Sequence, residues 1–165
     1  MAQIEDSIEV DVPIRTVYNQ WTQFEEFPRF MEGVKAVRQL DDKRLAWKAE
    51  IAGKDVDWTA EITQQEPDKR IGWRSTSGAE NAGSVTFESL DPSKTKVTLR
   101  LHYEPEGVVQ STGNALGLVK ARVSGDLSRF KKFIETRGMA TGAWRGEIHG
   151  GQVEKPGYGQ AGAGA

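Results

Sequence analysis

Residues 108–137 read VVQSTGNALGLVKARVSGDLSRFKKFIETR, and six apolar side chains recur through them at steps of three and four: Leu116, Val119, Val123, Leu127, Phe130 and Ile134. That spacing puts all six on one stripe of a helix. Arg122, Arg129, Lys132 and Glu135 fall off the stripe and can face water. Gly113 and Gly117 each cost about 1 kcal/mol relative to alanine inside a helix, so the regular part is predicted to begin near Leu116. A helix with one apolar stripe needs an apolar surface to cover it.

The preceding segments read as the strands that supply this surface. Leu45, Trp47, Ala49 and Ile51 alternate with polar neighbours, and after Ala52-Gly53 so do Val56, Trp58, Ala60 and Ile62. If Ala52-Gly53 is a two-residue hairpin turn, Ala49 faces Val56, Trp47 faces Trp58 and Leu45 faces Ala60. A slip of one residue would destroy that match. Turns are expected at Pro67-Asp68 and Asp91-Pro92-Ser93, and a loop from Gly78 through Gly83. Ile71 and Trp73, Val85 and Phe87, and Val97, Leu99, Leu101 and Tyr103 continue the apolar phase. Ahead of this meander, Ile4, Ile8 and Val10 mark a half-buried first strand with Asp6 as the exception in its apolar phase. Val12-Pro13 then opens a short helix with Val17 and Trp21 inside. Phe24, Phe27, Phe30 and Met31 surround Pro28 in a second short helix that Gly33 ends. The expected architecture is α+β: a curved antiparallel sheet of about seven strands wrapped around a long carboxy-terminal helix, with two short helices after the first strand.

Composition narrows the function classes. A chain of 165 residues holds one domain with a real core. The net charge of −2 gives no electrostatic reason to expect nucleic acid. No cysteine is present, which removes disulfides, thiolate nucleophiles and cysteine metal sites and suits a reducing compartment. The acidic start MAQIEDSIEV is unlike a signal peptide, and no apolar run approaches the roughly 18 residues of a membrane span. A cytoplasmic protein without integral membrane association is expected. Residues 138–165 hold half of the chain's eighteen glycines. A domain over 1–138 and a mobile glycine-rich tail over 139–165 are therefore expected, with Trp144 as a possible dock. The tail contains G-x-G-x-x-G at Gly157, Gly159 and Gly162, but no strand and helix flank it, so it is not a dinucleotide site.

The aromatic residues carry the functional signal. Trp47, Trp58 and Trp73 fall in the inward phase of neighbouring strands, with Phe87 and Tyr103 beyond them. Either these rings pack solid or they leave an apolar cavity between sheet and helix. Tyr103, Ser75 and Asn114 are the candidate polar anchors of such a cavity. Asp6 is either a buried carboxylate or a residue at a strand edge in water. His102 falls in the outward phase, and no serine, histidine and carboxylate form a recognisable triad. The basic residues of the long helix read as a solvated face.

The order of elements resembles the helix-grip arrangement. Phe27-Pro28-Arg29-Phe30-Met31, Trp73-Arg74-Ser75, Gly83-Ser84-Val85-Thr86-Phe87, Val97-Thr98-Leu99, Tyr103-Glu104-Pro105, Gly125-Asp126-Leu127 and Phe130-Lys131 resemble the polyketide cyclase/dehydrase branch of the START and Bet v 1-like superfamily. The resemblance covers residues 4–138. It implies a hydrophobic cavity for a small apolar or aromatic ligand such as a lipid, quinone or polyketide; no cofactor is expected, and two histidines with no cysteine leave little material for a metal site. No position matches a catalytic signature. The candidate lining is Phe30, Trp47, Trp58, Trp73, Ser75, Phe87, Leu99, Leu101, Tyr103, Asn114, Leu116, Val119 and Val123. The readings left open are a binding protein, a cyclase or dehydratase using Asp6, Tyr103 or Asn114 for proton transfer, and a structural interaction domain with a filled interior.

Overall fold

The computed structural model describes residues 2–51, 53–104 and 115–155. Strand β1 (Ala2–Val10) leads into helix α1 (Ile14–Trp21) and a short 3-10 helix, α2 (Phe24–Arg29). A meander follows: β2 (Val34–Gln39), β3 (Arg44–Ile51), β4 (Lys54–Glu66), β5 (Arg70–Gly78), β6 (Asn81–Asp91) and β7 (Lys94–Tyr103). Then come helix α3 (Ala115–Arg137) and two short strands, β8 (Glu147–His149) and β9 (Gln152–Lys155). The sheet order is β1-β7-β6-β5-β4-β3-β2, every pair antiparallel. This is the expected helix-grip α+β fold.

The hairpin register is the one the apolar phase dictated: Leu45 opposes Ala60, Trp47 opposes Trp58, and Ala49 opposes Val56. Along β4, register shifts between Thr59 and Ala60 and between Ile62 and Gln64 add local twist, which bends this long strand. The expected loop from Gly78 through Gly83 is instead a tight connection. β5 runs through Gly78 and β6 resumes at Asn81. Gly78 takes the left-handed conformation (φ 79°) that lets the chain reverse there, and the Ala79 N–H bonds back to the Asp57 carbonyl at 3.2 Å. Just before it, Thr59 on β4 makes hydroxyl contacts to Thr76 and Ser77 that keep these residues in the sheet.

Val119, Val123, Leu127, Phe130 and Ile134 are all buried, as the helical spacing required. The second half of α3 is clamped to β1. Lys131 Nζ donates to the Glu9 carbonyl at 2.8 Å, and Glu135 Oε2 accepts the Asp11 N–H at 2.8 Å. Arg129 Nε donates to the Phe30 carbonyl at 3.1 Å, tying the helix to the residue after α2.

Residues 139–155 correct the expectation of a mobile tail beginning at 139. Gln20, fully buried, exchanges two hydrogen bonds with Thr141, and the Trp144 N–H donates to Thr22 Oγ1 at 3.0 Å. Arg145 donates to Asn19 Oδ1 at 2.7 Å, pairs with Asp68 at 2.8 Å, and lies over the Tyr18 ring. Ile148, fully buried, pairs with Gln65 of β4. Glycine content misled because the residues between the glycines, among them Thr141, Trp144, Arg145, Ile148 and Val153, make the attachment. The rest of the expected tail, 156–165, lies outside the described residues.

Ile148→Ala is expected to cost about 2–4 kcal/mol, as for a fully buried aliphatic side chain. Urea denaturation followed by tryptophan fluorescence measures it, and a midpoint equal to wild type would make this segment a loose appendage.

Candidate functional site

Along α3 the apolar stripe splits into two environments. Phe130 and Ile134 are packed solid, with Trp21 and Phe30 against Phe130 at ring-centroid distances of 5.0 and 5.1 Å. Val119, Val123 and Leu127 instead face a cavity of about 180 Å³, opposite the sheet. Trp21, Phe24 and Phe27 wall it on the side of the short helices. The sheet contributes residues of one face from six strands, two or four apart along each strand as the two-residue period requires: Val34, then Trp47 and Ala49, Trp58 and Ile62, Ile71 and Trp73, Asn81 and Val85, and Leu99, Leu101 and Tyr103. The rings of Trp47 and Trp58 stack across β3 and β4, 5.4 Å apart at 11°. Gly83 leaves room for Trp73: a Cβ there would fall 2.7 Å from its indole.

Eight of the candidate residues come together in this wall: Trp47, Trp58, Trp73, Leu99, Leu101, Tyr103, Val119 and Val123. Three candidates lie elsewhere. Phe87 sits farther along β6, where its ring meets Tyr18 of α1 edge-on at 5.3 Å. Phe30 is consumed by the packed rings of Trp21, Phe27, Phe130 and Phe133. Ser75 accepts the Asn81 N–H at 3.0 Å, so it supports a wall residue without being one. Asn114 and the side chain of Leu116 lie outside the described residues. Asp6 is also absent from the wall; it opposes Leu99 on β1 and accepts the Ser7 N–H.

Sequence reasoning missed Asn81, Arg122 and Asp126 in the wall. Asn81 was hidden by the loop reading; once β6 starts there, positions 81, 83 and 85 share a face. Arg122 and Asp126 flank Val119, Val123 and Leu127 at helical spacing, which places them at the edge of the apolar stripe.

The polar groups of the wall differ in how far they are committed. Asn81 Oδ1 accepts Trp73 Nε1–H at 3.1 Å, and its Nδ2 donates to the Ala79 carbonyl at 3.0 Å. Asp126 Oδ1 accepts the Glu32 N–H at 3.0 Å and a bond from Arg129. Burial raises the Asp126 carboxyl above its ordinary pKa, and the bonds from Arg129 and Glu32 partly oppose that rise. Arg122 Nη1 donates to the Glu50 carbonyl at 3.2 Å. By contrast, Trp47 Nε1, Trp58 Nε1 and Tyr103 Oη are buried with no hydrogen-bond partner among the described residues. Burial also raises the Tyr103 hydroxyl above its ordinary pKa, so it is a neutral phenol. Among the described residues no helix is long and apolar enough to cross a membrane.

A long helix gripped by an antiparallel sheet, with an apolar cavity between them, defines a helix-grip cavity protein. The chain belongs to the family described as polyketide cyclase / dehydrase and lipid transport, whose model matches residues 10–132. It is 50% identical over 149 residues to a protein of Streptomyces lincolnensis described as an uncharacterized 17.2 kDa protein, covering 90% of this chain and 99% of that one. A crystal structure from Deinococcus radiodurans is 32% identical, with a TM-score of 0.65, over 82% of this chain and 99% of the other. The Zhui aromatase/cyclase of a Streptomyces species matches with a TM-score of 0.69 at 16% identity, over 86% of this chain and 98% of that one. At that identity the likeness is one of fold.

Burial raises the hydroxyl pKa of both Tyr103 and Tyr18 in the folded state. Above about pH 10 the unfolded chain therefore loses its phenol protons before the folded one does. The stability these groups contribute is whole below about pH 10 and falls as pH rises past it. Urea midpoints at pH 9 to 11.5 should drop less steeply in Tyr103→Phe than in wild type; equal slopes would put Tyr103 in water.

Proposed function

We infer that the protein binds a hydrophobic small molecule in the cavity between the sheet and the first half of α3. The observation that carries this is the cavity itself, walled by aromatic and aliphatic side chains while the other half of the same helix is packed solid. Its presence argues against a domain whose interior is filled. Apolar surface removed from water there supplies about 25 cal/mol per Å², less the costs of ordering the ligand. A volume of about 180 Å³ lies below the roughly 300–1,000 Å³ of common ligand pockets. The occupant is therefore a compact ring system, or one end of a longer lipid, quinone or polyketide whose remainder projects from the mouth. The stacked pair Trp47 and Trp58 offers a flat ring a surface to pack on. The family's scope, which includes lipid transport, supports the same reading. The absence of cysteine suits a cytoplasmic setting.

A second reading, a cyclase or dehydratase in the manner of the aromatase/cyclase relative, draws on Tyr103. A neutral buried phenol can donate a hydrogen bond to a substrate carbonyl or pass it a proton. The carboxylate in the wall, Asp126, is tied to Arg129 and Glu32, so a general base is not evident beside it. Binding is the reading the geometry favours.

Ala49 is buried in the wall, and Ala49→Phe would place a ring in the cavity. Titration with methyl 2-naphthoate, followed by quenching of tryptophan fluorescence, should show binding to wild type and at least tenfold weaker binding to Ala49→Phe. Unchanged affinity in a folded Ala49→Phe protein would place the ligand elsewhere.

A further inference from the structure

Arg122 is the one cation among the described residues of the cavity wall. It lies where α3 crosses the ends of β2 and β3: its guanidinium covers Gly33, where a Cβ would collide with Nη1, and it reaches the Glu50 carbonyl. Arginines on a helix surface commonly pair with a carboxylate one turn away. Here the candidate one turn on, Asp126, is already engaged by Arg129 and by the Glu32 N–H. Arg122 makes no direct ion pair with a carboxylate among the described residues, although its charge acts on Asp126 through space, and a single backbone carbonyl accounts for one of its five N–H groups. The guanidinium fork is thus held at the cavity rim with donors to spare.

The uncommitted polar atoms elsewhere in the wall can also donate. Trp47 and Trp58 present indole N–H groups, which can only donate, and Tyr103 presents a neutral hydroxyl. The wall's carboxylate and its carboxamide oxygen are already accepting bonds. A molecule that satisfies this wall brings acceptors, and at the rim it meets a positive charge.

On the reading that the cavity binds a hydrophobic small molecule, we propose that its occupant is an apolar carboxylic acid, whose carboxylate is held by Arg122 at the rim while its ring or chain lies against Trp47 and Trp58. A carboxylate matches the planar guanidinium fork in a bidentate pair, and a charge-assisted bond at a half-buried site is worth more than one in open water.

Isothermal titration calorimetry at pH 7.5 with 2-naphthoate and with methyl 2-naphthoate separates charge from apolar burial. Wild type is expected to bind the acid about tenfold more tightly than the ester, and Arg122→Gln to abolish that difference. Arg122→Lys should restore only part of it, because an ammonium cannot form the bidentate pair. Equal affinity of wild type for acid and ester overturns the inference and leaves the apolar site standing. Binding of neither overturns both the inference and the reading on which it rests. A preference for the acid that survives in Arg122→Gln assigns the carboxylate to another residue and overturns it too. The comparison in wild type needs no variant to fold.

Discussion

A knot of aromatic rings at one end of α3 sets the geometry of the whole molecule. Trp21 of α1 and Phe30, just after α2, meet Phe130 from α3, and Phe27 packs on both of the first two, with centroids 5.0 to 5.9 Å apart and planes steeply inclined. Rings in such contact do not compress, so they fix how far the second half of α3 stands from the sheet. The helix is stiff, and the clamps from Lys131, Glu135 and Arg129 act on this same half. The apolar stripe also tapers: valines at 119 and 123 occupy the positions where phenylalanine and isoleucine stand two to three turns later. A valine at the same stand-off does not reach the sheet. The cavity follows from the taper and the wedge together.

The sheet keeps that space open from the other side. Trp47 and Trp58 stack on each other, and Trp73 is pinned by Asn81 and admitted by Gly83. Each large ring thus has lateral support within its own sheet, so none must fold across the gap to find contact. Hairpin register makes this possible. A one-residue slip between β3 and β4 would send one tryptophan to the outer face.

This hairpin was legible in the sequence because its evidence is local: two runs of period two and a glycine between them. The stripe on α3 was legible for the same reason. Position along a strand was not. Apolar phase tells which face a side chain takes, and it placed Phe87 and Tyr103 alike on the inner one; only the placement of α1 over Phe87 and of the cavity beside Tyr103 separates them. Phe30 failed similarly, since the pattern could not say whether an aromatic near α2 lines a space or fills it. The segment from 139 to 155 was misread because its attachment depends on partners far away in sequence. Gln20 with Thr141, Asn19 and Asp68 with Arg145, and Gln65 with Ile148 leave no periodic trace. Glycine composition was the only local signal, and it pointed the wrong way.

The polar atoms of the cavity add a constraint that apolar patterning cannot express. A buried donor without a partner costs about 1–3 kcal/mol, and the inner wall carries three such groups, on Trp47, Trp58 and Tyr103. Phenylalanine at each position would supply comparable apolar area without that cost, so burial alone does not explain the choice of residues. Packing alone does not explain Arg122 either, because a neutral side chain could cover Gly33 without desolvating a charge. Donors retained at a cost to stability make physical sense where an acceptor is brought in from outside the chain. The same groups that weaken the empty fold would then define what it holds, and strength of binding and polarity of ligand would be set by different atoms of one wall.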